Sequence, residues 1–331
     1  MPDQTIITNV RRAMVCVVLL GLATGAVAAS LPQRLRAVAD AYYAHAPAIA
    51  TITNRYSAMD FYQRLLDDAG TLSDPATQQS PVRLQIVQAQ AQLDLSLAQQ
   101  LLSNTFVPMQ SIRGAGETFV RSSQDGTMQP VAVYVPQNYT RNRGLPLVIF
   151  LHGRLQPESQ LVAPLFMQEI AAKNDTIVVA PYGRGYYDFA GSESDVYDAY
   201  DAAVKAVATP PARRYLIGFS MGAVSVFKIA LMHADDWSAL MSIAGALPNN
   251  EQYSVVSAMH NTRFYVITGD RDAIVAPTNS IATAKLLGNA GLAISFYEQT
   301  DGTHSLYSLR TVVQRAWSDM LRGVVRPPLG E

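Results

Sequence analysis

Residues 213–227 read RRYLIGFSMGAVSVF: a short apolar run, the turn Gly218-Phe219-Ser220-Met221-Gly222, then a second apolar stretch with helical character. A serine flanked at two positions by glycines occurs in ordinary turns, where both residue types are common. Here a strand over 215–218 feeds the turn and an amphipathic helix leaves it. That context predicts a cramped elbow whose neighbours must be small. It would hold the Ser220 hydroxyl at a helix N-terminus, where backbone N–H groups face developing negative charge.

Outward from the elbow, the chain after residue 110 alternates short apolar runs with helical ones. The apolar runs lie at 147–151, 177–180, 215–218, 240–244, 264–268 and 293–297. The helical runs include 195–207, 221–233, 278–290 and 306–321. Near-continuous β-branched and aliphatic stretches suit strands buried on both faces. Their alternation with helices predicts a mostly parallel sheet covered on both sides. Runs at 118–121 and 131–135 flank Asp125-Gly126, a hairpin signal, so the sheet should begin antiparallel. The expected fold class is α/β, with the sheet domain over 111–331.

Residues 30–110 have a different texture. Ser80-Pro81 is a good helix start, with a capping hydroxyl and a proline whose missing N–H costs nothing in the first turn. Ile86, Leu93, Leu97 and Leu101 then recur near one helical face. We read two or three helices here. Packing on the main domain accounts best for their apolar stripe; a lid or a surface for a partner protein is the alternative.

A serine hydroxyl is a poor nucleophile without a base. The chain has five histidines. When a serine stands on such an elbow, the partners follow in the order acid, then histidine. His45 and His152 precede Ser220, and His152, beside a glycine, is read as shaping its turn. His233 closes the serine's own helix, a structural position, and His260 precedes the acid candidates. His304, after the last strand, is the expected base. The strand at 264–268 runs into Gly269-Asp270-Arg271-Asp272-Ala273-Ile274-Val275, which offers two carboxylates. Asp270 is placed to cap the turn or pair with Arg271, whereas Asp272 precedes an apolar segment able to fix its loop. An oxyanion hole would take one backbone N–H from Met221 and a second from the loop after 147–151, at Arg154 or alternatively Gly153.

The N-terminus looks like an export signal. Arg11-Arg12 precede an uncharged apolar stretch that ends in Ala26-Val27-Ala28, a small-x-small pattern. Cleavage is expected after Ala28 or Ala29, with residues 1–29 as signal peptide and a secreted or periplasmic product. The strongly apolar part is too short to span a bilayer comfortably. Cys16 is the only cysteine and lies within that segment, so the mature chain would have no thiol nucleophile, thiolate zinc site or disulfide. With 331 residues, 49% apolar and a net charge of −1, the chain can build a large core and has no electrostatic drive toward nucleic acid. No metal or cofactor is expected, because neither a ligand cluster nor a Gly-Lys-Ser/Thr loop is present.

Together these residues resemble the α/β-hydrolase superfamily over about residues 117–325. The runs VYVPQNYTRNRGLPLVIFLHG, APYGRGYYDFAG, DVYDAYDAA and RRYLIGFSMGA are similar to the prolyl-oligopeptidase-like and polyhydroxybutyrate-depolymerase-like secreted esterases. The resemblance implies ester hydrolysis through Ser220, Asp272 and His304, and it favours Asp272 over Asp270. A small-molecule or polymeric ester is the implied substrate. A peptidase of the same fold, or an inactive hydrolase fold used for binding, are the competing readings. Departures are Ala223 where relatives have a second glycine, Arg154 where many have a small residue, the lack of cysteines, and the helical segment, which matches nothing in the pattern. The loop around Tyr182–Tyr187 could wall an acyl or aryl group, or could simply pack.

Overall fold

The computed structural model describes residues 29–184, 189–208, 210 and 213–326. The proposed signal peptide therefore falls outside the described residues, except for Ala29, and so do Tyr186 and Tyr187 of the tyrosine-rich loop.

Five helices come first: α1 (Leu31–Ala44), α2 (Ala46–Thr53), α3 (Arg55–Ser73), α4 (Pro75–Gln78) and α5 (Pro81–Ser103). That is more than the two or three expected. The extra breaks have local causes: Asn54 at φ 80° caps α3 by accepting from the Ser57 N–H, and Asp74 caps α4 through the Thr77 N–H. Ser80 caps α5 as its sequence suggests. Along α5 the buried positions are Ala91, Asp94, Leu95, Leu97, Ala98, Gln100 and Leu101. The apolar stripe is thus right at Leu97 and Leu101, but Ile86 and Leu93 are only half-buried. Two polar residues take places on the inner face, which no hydrophobic pattern signals.

The sheet follows: β1 (Gly114–Arg121), β2 (Met128–Val135), β3 (Leu147–Leu151), β4 (Ile177–Pro181), β5 (Arg214–Phe219), β6 (Ala239–Ile243), β7 (Arg263–Gly269) and β8 (Ile294–Gln299). Its order is β1-β2-β4-β3-β5-β6-β7-β8. β1, β2 and β4 pair antiparallel, and every later pairing is parallel. Interleaved are α6 (Leu165–Lys173), α7 (Glu193–Val207), α8 (Met221–Met232), α9 (Gln252–Ala258), α10 (Pro277–Asn289) and α11 (Arg310–Arg322). Strand side chains alternate between two cores, as the period of two requires. Leu147, Ile149 and Leu151 pack toward the side of α7, α8 and α10. Val148 and Phe150 pack toward α6 and α11. A third core joins the N-terminal helices to Phe119 of β1 and to Tyr182. Among the described residues no helix is long and apolar enough to cross a membrane.

Candidate active site

The elbow is strained and tightly built. Ser220 sits at φ 54° and ψ −115°, outside the regions an L-residue adopts freely, with its N–H bonded to the Ile243 carbonyl at 2.8 Å. The flanking glycines are required by contact. A Cβ on Gly218 would lie 2.1 Å from the Gly222 carbonyl oxygen, and one on Gly222 would lie 2.3 Å from that of Leu151. Small neighbours thus let β3, β5 and the start of α8 converge closely enough to present the hydroxyl at the carboxyl edge of the sheet, where open α/β sheets place their ligands.

Two further loops leave the same edge. The end of β7 and the turn after β8 nearly touch, since a Cβ on Gly269 would lie 2.3 Å from the Gly302 carbonyl oxygen. The Arg271 N–H donates to that oxygen at 2.9 Å. The contact draws the acidic loop against the histidine loop. Asp272 is fully buried at its side chain, and His304 keeps 15% exposure. His304 Nδ1 lies 2.7 Å from Asp272 Oδ2, and His304 Nε2 lies 2.8 Å from Ser220 Oγ. The other oxygen of Asp272 accepts from the Ile274 and Val275 N–H groups, both at 2.9 Å. Its carboxylate is therefore held by the apolar segment that follows it. Phe219 packs its ring 5.1 Å from the imidazole.

The structure thus brings Ser220, His304 and Asp272 into one chain of hydrogen bonds. Asp270 lies apart and exposed, and Arg271 pairs with Asp301 at 2.6 Å rather than with Asp270. Met221 opens α8 directly after Ser220. Arg154 follows Gly153 in the turn leaving β3, and the Gly222 N–H donates to the His152 carbonyl at 3.1 Å, which ties that turn to the elbow. His152 is wholly buried; its Nε2 lies 2.8 Å from the Tyr182 carbonyl oxygen, and burial lowers its pKa. Tyr182 is buried against the helical segment, so this end of the tyrosine-rich loop packs inside. His233 ends α8, and His260 lies beyond α9.

The sheet order and the elbow define the class of fold: the chain has the α/β-hydrolase fold, a mostly parallel sheet with helices on both faces. Residues 122–264 match the sequence model of a family described as "Putative esterase". Among solved structures, a ferulic acid esterase is similar at 15% identity, over 63% of this chain and 97% of its own, with a TM-score of 0.52. FphF, a fluorophosphonate-binding serine hydrolase of Staphylococcus aureus, is similar at 15% identity, over 63% of this chain and 99% of its own, with a TM-score of 0.52. Est1E from Butyrivibrio proteoclasticus is similar at 17% identity, over 64% and 98%, with a TM-score of 0.52. No curated protein matches the chain in sequence.

Sequence reading missed how deeply the helical segment is tied to this edge of the sheet. Arg64 of α3 donates to Glu158, in the segment after β3, through Nη1 at 3.0 Å and Nη2 at 2.9 Å. Charged residues 94 positions apart give no local signal of such a pair.

Proposed function

We propose that the protein is an exported serine hydrolase that cleaves carboxylic esters through Ser220, His304 and Asp272. The observation that carries this reading is the continuous hydrogen-bonded line from Ser220 Oγ through the imidazole to Asp272. Ser220 Oγ attacks the acyl carbon while His304 Nε2 takes its proton. His304 returns that proton to the leaving alcohol oxygen as the C–O bond breaks. Water then attacks the acyl-enzyme with the same base, releasing the acid and restoring the serine. Asp272, pinned by two backbone N–H groups, fixes the imidazole's orientation and stabilises it when protonated. The N–H groups of Met221 and Arg154 bind the oxyanion of each tetrahedral intermediate.

Export rests on the sequence of residues 1–29, with cleavage after Ala28 or Ala29. The reaction class is tested by a p-nitrophenyl ester series of increasing chain length, with a peptide anilide alongside, and by mapping the residue labelled by a fluorophosphonate. Ester turnover with labelling of Ser220 alone is the expected result. Anilide cleavage without ester turnover, or labelling elsewhere, overturns it.

A further inference from the structure

The turn that follows β3 is suspended between two supports. One end is β3 itself. From there the Gln156 N–H donates to the Gly153 carbonyl at 3.2 Å, Leu155 takes φ 59°, and a short 3₁₀ turn runs over Glu158–Leu161. The other support belongs to the N-terminal helices. Glu158 is fully buried, and both of its oxygens are taken by the fork of Arg64, itself only 4% exposed at the side chain. Two parallel N–H···O bonds fix direction as well as distance, which a single ion contact cannot do.

Arg64 is in turn clamped. Its guanidinium lies 5.1 Å from the Phe61 ring centre and 5.0 Å from that of Tyr182. Its Nε donates to Asp60 Oδ2 at 3.2 Å, and the Tyr182 hydroxyl donates to the same oxygen at 3.0 Å. Tyr182 also offers the carbonyl beside His152 Nε2, and His152 is the residue that starts the turn. On the far side, the Ser159 hydroxyl donates to Asp94 of α5 at 3.4 Å. Helices α3 and α5 therefore hold the turn at Glu158 and Ser159 directly, and at His152 through Tyr182.

We infer that Arg64, with Asp60 and Tyr182, is a positioning group for the oxyanion-binding turn, so that the N-terminal helices complete the active site without touching the substrate. The inference rests on the reading of Arg154 as an oxyanion donor. A hydrogen-bond donor must meet the oxygen of the tetrahedral intermediate within a few tenths of an ångström, and a misplacement of about 1 Å costs roughly 100-fold in rate. Glu158 lies four residues beyond Arg154, so loosening the Arg64 fork transmits directly to that N–H.

The test uses the full chain and three variants: Arg64→Lys, which keeps the charge and loses the fork; Glu158→Gln, which keeps the shape and loses the charge; and Tyr182→Phe, which removes only one hydroxyl. Active sites are counted by fluorophosphonate titration, and kcat per titrated site, KM and the inhibition constant of an arylboronic acid are measured. The boronate forms a tetrahedral adduct on the serine and so reports the hole. Arg64→Lys and Glu158→Gln should lower kcat about 10- to 100-fold at nearly constant KM and weaken the boronate by the same factor. Tyr182→Phe should do so severalfold, and it decides the matter should either charge variant fail to fold. A purely structural role would reduce the titratable fraction and leave kcat per site and boronate affinity unchanged, and that outcome overturns the inference. Failure of the wild-type chain to label at Ser220 would instead remove the reading of the site on which the inference rests.

Discussion

The sheet and the helical layer are built on opposite plans. Between the strands and their flanking helices the buried side chains are almost all aliphatic or aromatic, Leu147, Ile149, Phe150, Val179, Leu216 and Ile217 among them. The seam between the helical layer and the sheet also buries Leu95, Leu97, Phe119 and Tyr182, but at its centre lie Arg64, Asp68, Asp94, Glu117 and Glu158. Apolar contact is non-directional and supplies most of the stability. Buried charge adds little net stability, because desolvation cancels much of the attraction, but it penalises any misfit severely. The comparison teaches that the sheet is held together by area, whereas the seam is held in register. A register suits the turn that, in the proposed mechanism, lies beside the reacting atoms.

Apart from loss of the serine itself, the largest effect separates the two acids at the sheet's edge. Asp272→Asn should lower ester turnover by roughly 10⁴, the scale on which loss of the orienting carboxylate acts. Asp270→Asn should cost less than about tenfold, since Asp270 is exposed and outside the hydrogen-bonded line. Steady-state kinetics on one p-nitrophenyl ester compares them, and a reversed order would exchange the two assignments.

Removing one region sharpens the contrast further. A chain beginning near Ser111 would uncover Phe119, Met128 and Tyr182 and would strip Glu158 of its guanidinium. Each large apolar side chain exposed costs about 1.5–3 kcal/mol, and a joined apolar patch promotes association. Soluble yield should collapse relative to the full chain, read by size-exclusion chromatography. A monomeric, fully active product would make the helical layer an independent module.

The smallest effect is a pH dependence confined to the seam. Burial, with the neighbouring carboxylates adding to it, holds the pKa values of Asp68 and Glu117 above the ordinary carboxylate range; burial also raises Asp94, with Arg64 opposing. Arg64 faces all three from α3, Glu158 faces Asp94 and Glu117 from the turn after β3, and Asp67 of α3 faces Asp68. An acid raised in the folded state keeps a proton that the unfolded chain has released. Its contribution is complete below the ordinary carboxylate pKa of about 4 and is lost as pH rises toward the folded value. Thermal stability should therefore fall as pH is raised from about 5 to about 9, and Asp68→Asn should flatten that slope. A stability that rises across the same interval contradicts the assignment of protonated carboxyls to the seam.

How far the sequence foretold all this follows from the same contrast. The strands were legible because aliphatic runs recur with turns between them, and the elbow was legible because two glycines bracket a serine where backbone must meet backbone. His304 could be singled out by elimination, and it lies within hydrogen-bond distance of both Ser220 and Asp272. Helix α6 went unread: it has 9 residues and no side-chain cap. The seam was illegible for a deeper reason. Arg64, Asp94 and Gln100 follow the usual pattern of a solvated helix face, and only the arrival of Glu158 and Glu117 from distant segments turns that face inward. Pairing across long sequence separation leaves no local period to detect.

In the proposed mechanism Ser220 Oγ, activated by His304, is the atom that attacks. The most direct test is the turnover of a short-chain p-nitrophenyl ester by Ser220→Ala against the unaltered chain, with both shown to be folded by circular dichroism. Loss of the nucleophile from such a line should lower kcat by roughly 10⁵–10⁶ while the melting temperature stays close to that of the parent. Turnover retained within about tenfold, well short of that loss, would contradict the account and move the chemistry to another residue.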